Sequence, residues 1–119
     1  MMLSEHVIQT QFITMVDALL PENQSKLIYA VPNGGKRHPV VAAKLKAEGV
    51  RKGMPDINID IPVGIHSGMR IEFKSSKGRV EPHQKEIHDL LRQRFYVVEI
   101  HRDAASAFDS LMGYLRGKK

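Results

Sequence analysis

Apolar residues in this chain recur with two periods, and the switches between them mark out the elements. Ser4-Glu5-His6-Val7 reads as a helix start, with Ser4 as the N-cap. Val7, Ile8, Phe12, Met15 and Leu19 then follow at helical spacing to about Leu20, where Pro21 stops the helix. Residues 26–31 read as a short strand, ended by the turn Pro32-Asn33-Gly34-Gly35. Residues 40–48 read as a helix with Val41, Ala42 and Leu45 inward and Lys44, Lys46 and Glu48 outward, terminated by Gly49. The pattern now changes to strict alternation. Ile57, Ile59 and Ile61 share one face and Asn58 and Asp60 the other; Met69, Ile71 and Phe73 likewise oppose Arg70, Glu72 and Lys74. This predicts two half-buried strands joined by a hairpin loop over residues 62–68. Glu81-Pro82 opens a further helix with Ile87, Leu90 and Leu91 as its core stripe. Residues 95–100, apolar and β-branched, read as a buried strand. Asp103 caps a last helix whose apolar positions are Ala104, Ala107, Phe108, Leu111 and Leu115. The order α-β-α-β-β-α-β-α predicts an α/β sandwich with a small mixed sheet, antiparallel at the hairpin and parallel across helical crossovers.

The bulk numbers narrow this picture. A chain of 119 residues, 42% hydrophobic, supports one core, and we expect a single domain over 1–119. Cysteine is absent, which excludes disulfides, thiolate metal sites and a thiol nucleophile. No apolar run approaches the roughly 18 residues that a membrane span needs, and the N-terminus has no secretory pattern. The expectation is therefore a cytoplasmic, intracellular protein with no membrane association. The net charge of +5 fits a polyanionic partner such as nucleic acid, and equally a solvated basic surface.

The candidate chemistry sits on the alternating pair. Asp56 lies at the entry of the first strand on its polar side, so pairing would put Asp56, Glu72 and Lys74 on one polar face. Two carboxylates and an amine there point to a divalent-metal site for phosphate chemistry. Glu5 extends the apolar stripe of the first helix at its N-terminal end, where a carboxylate either meets water beside the helix dipole or faces a metal. Basic residues cluster on loops: Lys36-Arg37-His38, Arg51-Lys52, and Lys77 with Arg79. Loops of this kind on either side of an acidic site could hold a phosphate backbone. Gln84 lies on the inward face of its helix, either bonded to backbone or serving the site. His83 and His88 are five apart, not the four that aligns two ligands on a helix, and read as surface residues.

Pro55-Asp56, a spacer, and Glu72-Phe73-Lys74 resemble the motif of the PD-(D/E)XK nuclease superfamily. With Glu5, Pro32-Asn33-Gly34-Gly35-Lys36-Arg37, Gly49, Gly53-Met54-Pro55-Asp56-Ile57 and Gln84, nearly the whole chain resembles the VRR-NUC branch, whose stand-alone members occur in phages and bacteria. The resemblance implies a restriction-endonuclease-like αβ sandwich, its small central mixed β-sheet flanked by helices. It further implies Asp56, Glu72 and the Phe73 carbonyl as Mg²⁺ or Mn²⁺ ligands, with Glu5 completing the metal site. Lys74 would orient or activate the attacking water, and Gln84 would support the site. Asn33, Lys36, Arg37, Arg51, Lys52, Lys77 and Arg79 would contact DNA. The implied activity is a structure-selective DNA endonuclease acting on four-way junctions or flaps, as a homodimer. The competing expectation is a non-catalytic DNA-binding module that uses the basic loops alone. Divalent-metal-dependent cleavage separates the two.

Overall fold

The computed structural model describes residues 2–32 and 38–119. Helix α1 (Glu5–Leu19) leads through a single helical turn, α2 (Glu22–Ser25), into strand β1 (Ile28–Ala30). Helix α3 (Pro39–Ala47), strands β2 (Ile57–Ile59) and β3 (Gly68–Phe73), helix α4 (Pro82–Gln93), strand β4 (Tyr96–His101) and helix α5 (Ala104–Leu115) follow. The predicted order holds, with the short α2 added. Ser4 caps α1 by accepting the Val7 amide at 3.2 Å, and Asp103 caps α5 by accepting the Ser106 amide at 2.7 Å. The Asn33-Gly34-Gly35 turn, with Lys36 and Arg37, lies outside the described residues.

The sheet runs β1-β2-β3-β4. Strands β1 and β2 pair antiparallel, as do β2 and β3, whereas β3 and β4 are parallel through the α4 crossover. This is the α/β fold with a mixed sheet that the sequence predicts. Ile57, Ile59, Met69, Ile71 and Phe73 turn one face of the sheet towards α1 and α5, and together these elements form the core. Phe12 meets Phe73 there with ring centroids 5.4 Å apart. Helix α4 covers part of the opposite face, where Gln84 reaches both Glu72 and Lys74.

Five expectations need correction. All six residues of β3 are buried, because helices cover both sides of it, so its polar face is enclosed rather than solvated. In α1 the buried residues are Ile8, Phe12 and Val16; Leu19 is 64% exposed and Val7 is also on the surface. The strict spacing of four from Ile8 to Phe12 to Val16 keeps one narrow line against the sheet. Helix α3 has no buried residue: Val41 and Ala42 are exposed and Leu45 is half-buried. Its polar–apolar pattern resembles a core helix, but α3 lies away from the sheet. In α4 the sequence-predicted stripe fails, with Leu90 50% exposed and Ile87 and Leu91 half-buried, while His88 is the buried residue. The face of the sheet beneath α4 is polar, so the helix presents its polar side chains to it. Finally, β4 is one of the two edge strands and is only partly buried, with Val98 as its buried residue.

On the core side of the sheet, β4 is fastened to α5 by a polar network. Glu99 accepts from the Ser110 hydroxyl and pairs with His101 Nε2 at 2.7 Å and Lys119 Nζ at 3.2 Å. His101 Nδ1 lies 3.0 Å from Ser106 Oγ. Among the described residues, no helix is long and apolar enough to cross a membrane.

Candidate active site

Four segments converge at the C-terminal end of β3. The loop before β2 arrives through Gly53, which has φ +88° and packs tightly against the first turn of α4. A Cβ on Gly53 would come within 2.9 Å of the His83 carbonyl oxygen, so both its backbone angle and its surroundings call for glycine. That turn delivers Asp56. Its carbonyl accepts the Val31 amide at 2.9 Å, and its carboxylate Oδ2 accepts the Phe73 amide at 2.7 Å. The long spacer between Asp56 and Glu72 is taken up by the β2–β3 connection, where Val63 and His66 form a small antiparallel bridge.

Glu72 is 1% exposed. Gln84 Nε2 donates to its Oε2 at 3.4 Å, and Lys74 Nζ lies 3.9 Å from the same oxygen. Its other oxygen, Oε1, is buried without a hydrogen-bond partner. Burial first, then the neighbouring Asp56 carboxylate, and to a smaller extent Glu5, push the Glu72 carboxyl up to about 8; Lys74 works against them. Lys74 follows β3 directly and prolongs its ladder, its amide donating to the His101 carbonyl at 3.0 Å. Its ammonium donates to Gln84 Oε1 at 2.9 Å. The Glu81 amide reaches that same oxygen at 2.8 Å, so Gln84 completes the capping box of α4 while it spans Glu72 and Lys74. The backbone bond expected for Gln84 is therefore present, and the same amide also contacts Glu72 and Lys74.

The Phe73 side chain lies wholly in the core, which leaves its main chain to the site. Glu5 is exposed at the first position of α1, with Oε2 3.4 Å from where a Cβ on Gly78 would stand, against the loop that follows β3. Lys77 and Arg79 are exposed on that loop, and Arg51 and Lys52 on the loop before β2. Asn33, Lys36 and Arg37 are outside the described residues. Among the described residues no cluster of three or more His, Asp and Glu side chains closes on a common point.

Two residues near the site were not anticipated from sequence. Arg102 donates to the Ser75 and Gly78 carbonyls at 2.6 and 2.8 Å and so braces the basic loop after β3. His88, read as a surface residue, is 1% exposed, with Nε2 buried, unpartnered and 3.7 Å from Glu72 Oε1. Burial, followed by the charge of Arg92, holds its imidazole below the usual range, so the ring is neutral near pH 7. Its position four residues after Gln84 was the available signal, because that spacing puts both on one helix face.

A mixed sheet between helices, with Asp56, Glu72 and Lys74 gathered at one strand end, defines a restriction-endonuclease-like α/β domain of nuclease type. The chain belongs to the VRR-NUC domain family, whose model matches residues 9–104. That span contains Asp56, Glu72, Lys74, Gln84 and His88 and begins after Glu5. A solved structure described as a "VRR_NUC domain protein" superposes with a TM-score of 0.82 at 26% identity, covering 98% of this chain and 91% of that one. A search of curated proteins found no match.

Proposed function

We propose that this chain is a divalent-cation-dependent DNA endonuclease that hydrolyses phosphodiester bonds in branched DNA, four-way junctions or flaps. The observation that carries the reading is Glu72: a buried carboxyl beside Asp56, with one oxygen unpartnered and its ionisation opposed by both burial and like charge. A cation at that oxygen would relieve both, and the donor set fits one. Asp56, Glu72 and the Phe73 carbonyl are hard oxygen ligands, and Mg²⁺ typically binds through one or two carboxylates while keeping several waters. These residues would hold Mg²⁺ or Mn²⁺, with Glu5 at the rim. When bound, the ion would neutralise phosphate charge and acidify water.

The chain's own residues account for the remaining requirements. Asp56 is oriented by the Phe73 amide, and Lys74 is aimed by Gln84. The Lys74 ammonium would stabilise charge that develops on the attacked phosphate and on the incoming water. Arg51, Lys52, Lys77 and Arg79 stand on exposed loops to either side and would hold the backbone of the duplex arms. Paired cutting of a four-way junction calls for two sites related by a twofold axis, so a homodimer belongs to this reading.

The test is cleavage of end-labelled linear duplex, 5′-flap, splayed-arm and four-way-junction DNA with Mg²⁺ or Mn²⁺, comparing wild type with Asp56→Ala. Cutting of a branched substrate that chelator or the substitution abolishes supports the reading. Tight binding without cutting on any substrate, unchanged in the variant, would favour a binding module instead.

A further inference from the structure

Two polar atoms deep under α4 face each other without partners: Glu72 Oε1 and His88 Nε2, 3.7 Å apart. That separation is too long for a hydrogen bond, yet each atom is sealed from solvent, and leaving both unsatisfied is costly. Their surroundings are already ordered. Gln84 holds the other Glu72 oxygen from one turn of α4, and His88 stands one turn further along the same face. The capping box and Pro82 fix the start of the helix, so closing the 3.7 Å gap falls to rotation of the two side chains rather than to movement of α4. An apolar residue would fill a purely structural position at His88 without introducing a buried nitrogen.

We propose that His88 is a positioning residue for Glu72, its Nε2–H closing on Oε1 so that successive turns of α4 hold both carboxylate oxygens in the orientation that receives the cation. Carboxylate ligands of metals are commonly steadied by hydrogen bonds of this kind, and a neutral imidazole has one N–H to give. A carboxylate oxygen has two lone pairs, so Oε1 can accept from His88 and still serve a cation. Tyrosine, lysine or leucine at this place would each lose the match: too long, charged, or without a donor.

Because this holds only if Glu72 binds a cation, as proposed above, the test separates the two ideas. Mn²⁺ is titrated calorimetrically into metal-free wild type, Glu72→Gln, His88→Phe and His88→Gln, each first shown to be folded by its thermal melt. The glutamine amide can place an N–H near the position of Nε2; phenylalanine keeps the ring and removes the donor. We expect Glu72→Gln to abolish binding, His88→Phe to weaken it roughly tenfold or more, and His88→Gln to recover it to within about threefold of wild type. Should His88→Phe not fold, His88→Asn, whose shorter amide stops short of Glu72, takes its place. Wild-type affinity in the folded donor-free variant, with Glu72→Gln still inactive in binding, would overturn the role of His88 alone. A His88→Gln variant as weak as His88→Phe would overturn it too, since ring shape would then be what matters. No Mn²⁺ binding by wild type, or equal binding by Glu72→Gln, would overturn the reading of Glu72 and His88 with it.

Discussion

Asp56 accepts the Phe73 amide at 2.7 Å, and this one bond joins the entry of β2 to the end of β3. It aims the Asp56 carboxylate and pins the segment that carries Glu72 and Lys74. An asparagine at position 56 keeps an acceptor oxygen for the Phe73 amide but loses the charge. We therefore expect Asp56→Asn to melt close to wild type while cleavage falls on the order of a hundredfold or more. A melt matched by wild-type cleavage would show that the carboxylate charge is dispensable.

Lys74 is buried and directed by Gln84 rather than by its own strand. We expect Lys74→Ala to remain folded and to bind Mn²⁺, with cleavage reduced by roughly two orders of magnitude. Calorimetry and a cleavage time course on the same preparation check this. Full activity would remove the ammonium from the reaction.

Glu72 makes the metal-free protein sensitive to rising pH. Its folded-state carboxyl is raised from 4.5 to about 8, so its contribution to stability is complete below pH 4.5 and is lost as the pH rises through 8. Above that value, in chelator, Glu72→Gln should melt higher than wild type. Adding Mg²⁺ or Mn²⁺ to wild type should close the gap, because a ligand that binds the folded state stabilises it. Identical melting profiles from pH 5 to about 9 would contradict the raised carboxyl.

Glu99 predicts the opposite behaviour at the acid end. Its hydrogen bond to His101 first, opposed by burial and then reinforced by Ser110 and Lys119, lowers the carboxyl from 4.5 to about 2. A depressed folded pKa gives stability that is present above 4.5 and lost as the pH falls towards 2. The loss is at most about 3 kcal/mol, reduced by the partial exposure of the pair. Glu99→Gln should flatten the acid limb of the stability curve; an unchanged limb would assign acid unfolding to other groups.

Gly53 offers a test of the turn that delivers Asp56. With φ +88° and the His83 carbonyl in the way, Gly53→Ala should destabilise by roughly 1–3 kcal/mol. For a domain of this size that lowers the melting temperature by several degrees. We also expect weaker Mn²⁺ binding, since the turn sets where Asp56 stands. A neutral melt would mean that the loop and α4 separate at little cost.

The local pattern alone determined the alternating strands, the caps at Ser4 and Asp103, the breaks at Pro21 and Gly49, and the shared polar side of Glu72 and Lys74 along their strand. Each depends on periodicity or on bonds to near neighbours, which a sequence displays directly. Tertiary structure decided which faces were covered. The stretch 69–74 alternates like a half-exposed strand, yet β3 lies in the middle of the sheet between helices, so Arg70, Glu72 and Lys74 are buried. Helix α4 then turns His88 inward and Leu90 outward, because what it meets is a carboxylate rather than a core. Helix α3 has the period of a packed helix, yet none of its residues is buried among the described elements. Periodicity records that a residue has a side; only the neighbouring elements determine whether that side meets oil, water or charge.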